Sequence, residues 1–232
     1  MANWITHMMI ADRLLEGIPG LDRTGFCVGN IAPDCNIENE DWTAFTPPRE
    51  VTHWMSGEKK TAVDCERFYD CRIAGRAFET ERERSFYLGY YAHLVTDAIF
   101  QRFIRDEQRV KDMMERIGTR PEMTEKMRGL PQDFDGVKMA FGKRARMRDV
   151  EQIEYEYLRD HPQSGYLTVL RTLKEFPDYP EYLPEGAIMR KIGIMAGLPE
   201  TVTDAEFVFF SREEYRGFLD KTAGTLLPRI CR

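Results

Sequence analysis

The sequence predicts a nearly all-α protein, a multi-helix bundle around one long buried helix at about residues 81–105. Three observations carry this. Apolar residues recur at helical spacing along most of the 232 residues. No run of alternating polar and apolar residues is long enough for a convincing sheet, and Phe207–Phe210 (FVFF) is the one short strand-like patch. Ser85–Ile104 carries only Asp97 and Arg102 as charged residues. Its length would span a bilayer, but His93, Asp97, Gln101 and Arg102 together make that costly. A helix that is apolar nearly all round in a soluble chain is a central core helix.

Taken in order, Trp4–Leu15 reads as the first helix, with Ile5, Met8, Met9, Leu14 and Leu15 as its apolar stripe and Gly17–Gly20 as its end. Residues 26–57 contain Pro33, Pro47 and Pro48 among many Asn, Asp and Gly, and read as loop with short helical turns. A second helix is expected over Lys59–Phe78. From Glu81 to about Ile117 the pattern gives one long helix or a broken pair. Past Gly118 the Gly and Pro spacing cuts the chain into shorter helices, with candidates at 143–160, 164–175, 185–196 and from about Ser211 to Leu227. Without a repeat, a low-complexity stretch or a Ser/Gly linker, residues 1–232 read as a single domain.

Composition bounds the function. Hydrophobic residues at 42% and charged ones at 31% describe an ordinary globular protein. The net charge of −6 argues against a nucleic-acid duplex as partner, yet says little about a small phosphorylated substrate that a metal could hold. MANWITHMMIADRLLEG has neither a basic n-region nor an apolar h-region, so a cytoplasmic protein is expected. An odd cysteine set (Cys27, Cys35, Cys65, Cys71, Cys231) without a CxxC pair agrees with a reducing compartment, most of these thiols being read as buried small hydrophobes. Cys65 and Cys71 fall on different faces of a helix.

Histidines are few, and three of the four (His7, His53, His93) lie in the first 100 residues. His161, beside Pro162 at an expected helix end, reads as a solvated or capping residue. The clearest local signal is His93-x-x-x-Asp97, since residues four apart share one helix face and can converge on one cation. Within the most apolar helix of the chain an unpaired carboxylate would be costly, and a bound cation removes that cost. A buried His–Asp hydrogen bond explains the pair equally well. The loop region adds Asp34, in a turn-forming FCVGNIAPDCN, and His53, in PPREVTHWM, while His7 sits on the first helix. Three imidazoles and two carboxylates without thiolate suit zinc, and an incomplete protein shell would leave a position for water. Trp42, Trp54, Tyr90 and Tyr91 could line a pocket there or simply pack the core. No phosphate-gripping Arg or Lys is evident, and Arg102 falls on another face from His93 and Asp97.

His7, GNIAPD ending at Asp34, THW at His53 and GYYAHLVTD from Gly89 to Asp97 occur in an order that resembles the zinc-dependent phospholipase C family, whose fold is shared with single-strand-specific zinc nucleases. The resemblance covers about residues 2–105. It implies an all-α fold and zinc ions that hydrolyse phosphodiester bonds. By position it implies a first zinc held by Asp34, His53, His93 and Asp97, and a second by His7 with Asp97 bridging. It also implies that the Ala2 amine, once Met1 is removed, completes the second site, and that Asp34 serves as general base. Departures are visible. The family's further His, ten positions after the central-helix His, is replaced by Phe103, so a third zinc site is expected to be lost. The family's N-terminal Trp and export signal are missing. A zinc-assisted phosphoester hydrolase with two ions, or one, is the expectation, its activity falling below about pH 6 as imidazole ligands protonate. Zinc would polarise phosphoryl oxygens and lower the pKa of a bound water to about 7. The rival is a non-catalytic helical protein whose metal serves structure or interaction. A hydrolase of the His-Asp dipeptide type is disfavoured because that dipeptide is missing.

Overall fold

A computed structural model describes residues 2–41, 43–57, 63–195, 197 and 206–231. The chain is mostly helical. In order the helices are α1 (Trp4–Gly17), α2 (Arg23–Gly29), α3 (Arg49–Thr52), α4 (Cys65–Arg72), α5 (Glu81–Phe103), α6 (Glu107–Gly118), α7 (Pro121–Met127), α8 (Phe134–Ala140), α9 (Lys143–Asp160), α10 (Ala187–Met195) and α11 (Arg212–Ile230). Between α2 and α3 lie a single tight helical turn, Ala32–Asp34, and a two-residue antiparallel pair, β1 (Ile37–Glu38) and β2 (Phe45–Thr46), with Ile37 opposite Thr46.

The expected central helix is α5. Thr80 caps it by accepting from Glu83 N, and Glu81 and Glu83 place negative charge in its first turn, where the helix dipole favours it. From Phe86 to Val95 every side chain is buried. The helix ends at Ile104, and Asp106 starts α6 by accepting from Arg109 N, so the expected 81–117 segment is a broken pair. No described helix is long and apolar enough to cross a membrane.

Against α5 lies α2, and glycine makes their approach possible. A Cβ on Gly29 would fall 2.0 Å from the Phe86 carbonyl oxygen, and one on Gly89 would fall 2.2 Å from that of Phe26. Only hydrogen fits in those gaps. The first helix is held at its N-terminus by a residue far along the chain. Its N-cap residue, Asn3, makes no capping bond of its own. Instead Glu154 of α9 accepts from Thr6 N (3.0 Å), Thr6 Oγ1 (2.5 Å) and Asn3 Nδ2 (3.0 Å). That carboxyl satisfies donors that the first turn leaves over.

Several expectations are corrected. Residues 26–57 are less irregular than read, because α2 and the turn ending at Asp34 are buried, ordered helix. The helix expected over Lys59–Phe78 runs only from Cys65 to Arg72, starting where Asp64 accepts from Arg67 N; residues 59–62 lie outside the described residues. The helix expected at 164–175 is one π-type turn, Tyr166–Leu170. FVFF is not a strand, since the N–H groups of Val208, Phe209 and Phe210 all point at Asp149 Oδ2. Of the cysteines only Cys27 and Cys35 are buried; Cys65 is half-buried, and Cys71 and Cys231 are exposed.

Candidate metal centre

Four elements deliver the candidate ligands to one place: His7 from α1, Asp34 from the turn after α2, His53 from the end of α3, and His93 with Asp97 from α5. Ligand atoms of His7, His93 and Asp97 lie within 4.8 Å of one another, as do those of Asp34, His53 and His93. All five side chains are buried.

Hydrogen bonding fixes which ring nitrogens face the centre. His93 donates Nδ1–H to the Asn30 carbonyl at 2.8 Å, the carbonyl being presented by the close α2–α5 packing. Its Nε2 is therefore unprotonated, and that buried atom has no hydrogen-bond partner. Burial, with His7 alongside, pushes the His93 pKa down to about 3, so the ring is neutral at any ordinary pH. For His53, Nδ1 lies 3.0 Å from Thr52 Oγ1 and Nε2 lies 2.8 Å from Arg49 Nη2. An arginine can only donate, so Nε2 carries the lone pair and Nδ1 the proton. His7 stacks on His93, ring centroids 3.8 Å apart and planes within 1°, and neither of its nitrogens has a hydrogen-bond partner.

The carboxylates divide between these rings. Asp97 Oδ1 accepts from Ala2 N at 3.0 Å and lies 3.6 Å from His7 Nε2, while Oδ2 lies 3.8 Å from His53 Nε2 and 3.9 Å from His93 Nε2. Asp34 Oδ2 accepts from the Trp4 indole N–H at 2.9 Å, leaving Oδ1 at 3.4 Å from His53 Nε2. Burial works to raise both pKa values. It is outweighed at Asp34 by His53, His93 and Arg49, and at Asp97 by His7 and His93, so both carboxyls sit below the usual range and stay ionised.

These atoms fit a divalent cation of the zinc type. Three buried imidazole nitrogens without partners would each cost about 1–3 kcal/mol if left so. They stand among ionised carboxylate oxygens, and neutral imidazole with carboxylate is a common zinc donor set. Beside the centre opens a cavity of about 530 Å³, lined by Trp4, Asp34, Phe45, Arg49, Lys143 and Met195 among others.

Sequence reading missed four contributors. Arg49, four residues before His53, places its guanidinium 3.7 Å from both Asp34 Oδ1 and Asp97 Oδ2. Trp4, Thr52 and the Asn30 carbonyl orient ligands. The spacing of Arg49 to His53 was a usable signal, and a Trp indole N–H near a carboxylate is another, since buried indoles seek acceptors. Elsewhere, Arg102 is exposed and off the site face, as expected. His161 bonds the Tyr157 carbonyl at the end of α9 through Nδ1–H. Trp42 lies outside the described residues. Trp54 is half-buried against Phe68, while Tyr90 and Tyr91 are buried, and the Tyr90 hydroxyl donates to the Thr52 carbonyl next to His53. Phe103 packs among Phe100, Phe210, Tyr215 and Phe218, under the Arg109 guanidinium.

Residues 6–100 match the family model described as zinc dependent phospholipase C. The resemblance read from the motifs is thus borne out over the segment that holds every candidate ligand from His7 to Asp97. No curated protein and no solved structure gives a significant match.

Proposed function

We propose, from the zinc-dependent phospholipase C signature of residues 6–100 and the geometry of its five buried ligands, that the chain is a zinc-dependent phosphoric ester hydrolase acting on a small phosphorylated substrate. The observation that carries the reading is the set of buried, partnerless nitrogens of His7 and His93 facing ionised Asp97. Asp34, His53, His93 and Asp97 would hold one ion, and His7 with Asp97, the Ala2 nitrogen in reach, a second. Asp97, one oxygen toward each group, suits a bridge. Bound zinc supplies Lewis acidity toward a phosphoryl oxygen and an acidified water.

The chain's own residues supply the rest. His93 and both carboxylates are already in the protonation state that ligation needs. Trp4 fixes Asp34 by one oxygen and so aims the other. In the hydrolysis, a water oxygen bonds to phosphorus as its proton passes to the Asp34 carboxylate, the P–O bond to the alcohol breaks, and the departing alcohol oxygen keeps the electron pair and takes up a proton from solvent, to which Asp34 returns its own. A carboxylate whose pKa is held low orients the water and takes the proton only in transit, because basicity near the operating pH is what storage would require. The cavity beside Asp34 offers Trp4, Phe45 and Met195 to the organic part of the substrate.

Turnover of bis(p-nitrophenyl) phosphate and of a phosphocholine ester by wild type, Asp34→Asn and metal-stripped protein tests this. We expect the variant to lose about 10²-fold or more, and stripped protein to recover with zinc. Equal rates for all three reject catalysis at this centre. Tight zinc binding without turnover favours the non-catalytic reading.

A further inference from the structure

The cation position of the centre already faces a cation. Arg49 Nη2 lies 2.8 Å from His53 Nε2, 3.7 Å from Asp34 Oδ1 and 3.7 Å from Asp97 Oδ2, the same three atoms that a metal would use. A lone pair on His53 that accepts from a guanidinium is not available to a metal at the same moment. Two positive charges at this spacing also repel, in surroundings where water screens little. Arg49 is, in addition, the most exposed member of the cluster. Its side chain is 24% exposed against 8% for Asp34 and 1% for His53, and it lines the neighbouring cavity. It reaches the centre from α3, a helix of one turn whose length puts little backbone in the way of a rotamer change.

We infer that Arg49 is a built-in competitor for the cation position and that, when a metal takes His53, its guanidinium turns into the adjoining cavity and becomes the phosphoryl-binding group of the site. This rests on the hydrolase reading above. It assigns the anion-gripping residue that sequence alone left open, and the ligand class it selects is a phosphate mono- or diester with at least one ionised oxygen. Guanidinium suits that role because its planar fork offers two parallel N–H donors to two phosphoryl oxygens. An anion placed between Arg49 and the metal also relieves the repulsion between them, so substrate and metal would favour each other's binding.

The test uses the full chain, and measures zinc affinity by competition with a chromophoric chelator and inorganic phosphate affinity of the zinc-loaded protein. Arg49→Gln should bind zinc about tenfold more tightly than wild type and phosphate about tenfold more weakly. Arg49→Lys keeps the charge without the fork; it should bind zinc nearly as wild type does and phosphate more weakly, and it decides the matter if the Gln variant fails to fold. Equal zinc affinity in wild type and Arg49→Gln, or phosphate affinity indifferent to both substitutions, overturns the assignment while the metal centre stands. Zinc binding by neither wild type nor Arg49→Gln overturns the hydrolase reading and this inference with it.

Discussion

Gly29→Ala is the sharpest single test of how the centre is assembled. The new Cβ would lie 2.0 Å from the Phe86 carbonyl oxygen, 2.8 Å from its carbon and 2.9 Å from the Phe86 Cα, all backbone atoms of the central helix. Ordinary contact begins at 3.4 Å, so α2 has to retreat from α5 by more than an ångström. Asn30 follows directly, and its carbonyl, now 2.8 Å from His93 Nδ1, moves out of hydrogen-bond range. Overpacking of this kind costs about 1–3 kcal/mol. The unpaired His93 N–H adds about 1–3 kcal/mol, and the stiffer unfolded chain returns about 0.4–1 kcal/mol. A net loss of about 1–5 kcal/mol, centred near 3, is expected, with weaker zinc binding because the His93 ring loses the bond that aims Nε2. Urea denaturation followed by circular dichroism, alongside zinc affinity, reads both effects. Gly224→Ala on α11, where an added Cβ meets nothing within 4 Å, is the control and should gain about 0.5–1 kcal/mol. If Gly29→Ala stays within about 0.5 kcal/mol of wild type and binds zinc unchanged, the close α2–α5 contact does not organise the site.

Two further outcomes concern pH. Burial raises the Glu154 pKa from 4.5 to about 7, so its contribution is intact below pH 4.5 and is lost as pH rises through about 7. Glu154→Gln should remove that alkaline loss, up to about 3 kcal/mol between pH 4.5 and 7.5, in urea midpoints taken across the range; an unchanged pH slope would refute it. His93 works in the opposite sense. Its pKa is depressed from 6.5 to about 3, so the unfolded chain takes up a proton first and stability of metal-stripped protein should fall as pH drops from 6.5 toward 3. Stability that is flat or rising over that window would show that the ring is not buried as described.

How much of this could be read beforehand depends on length. Helices α1, α5, α9 and α11 are long enough for periodicity to speak, and each appears near its expected place. The helix α2 is not. Its seven residues include Gly25 and Gly29, which read as loop until α5 is present to receive them. The shortfall at α4 has a local cause, since Asp64 caps where the pattern suggested continuation. The candidate ligands were legible for chemical reasons, histidine being scarce and His93 and Asp97 being set one turn apart. Arg49 offered only its spacing of four to His53 and Glu154 nothing, because one arginine or glutamate among 33 basic and 39 acidic residues acquires most of its role from what folding puts beside it.

Glu154 also bears on where the functional unit ends. The family match stops at residue 100, yet the first candidate ligand is positioned from beyond it. Glu154 holds Asn3, the N-cap residue, and Thr6, the residue before His7, and thereby sets the start of α1. Lower on the same helix, Asp12 accepts from the Tyr157 hydroxyl at 2.8 Å and from Gly165 N at 2.9 Å, tying α1 to α9 and the π-type turn a second time. Two attachments fix both the height and the rotation of α1, and rotation is what aims His7 at Asp97. A ligand misplaced by an ångström loses most of its value to a metal, whose bond lengths are set to within about 0.2 Å. The chain beyond the matched segment is therefore part of the candidate centre's scaffold, supplying to α1 the fixed orientation that its own N-cap does not.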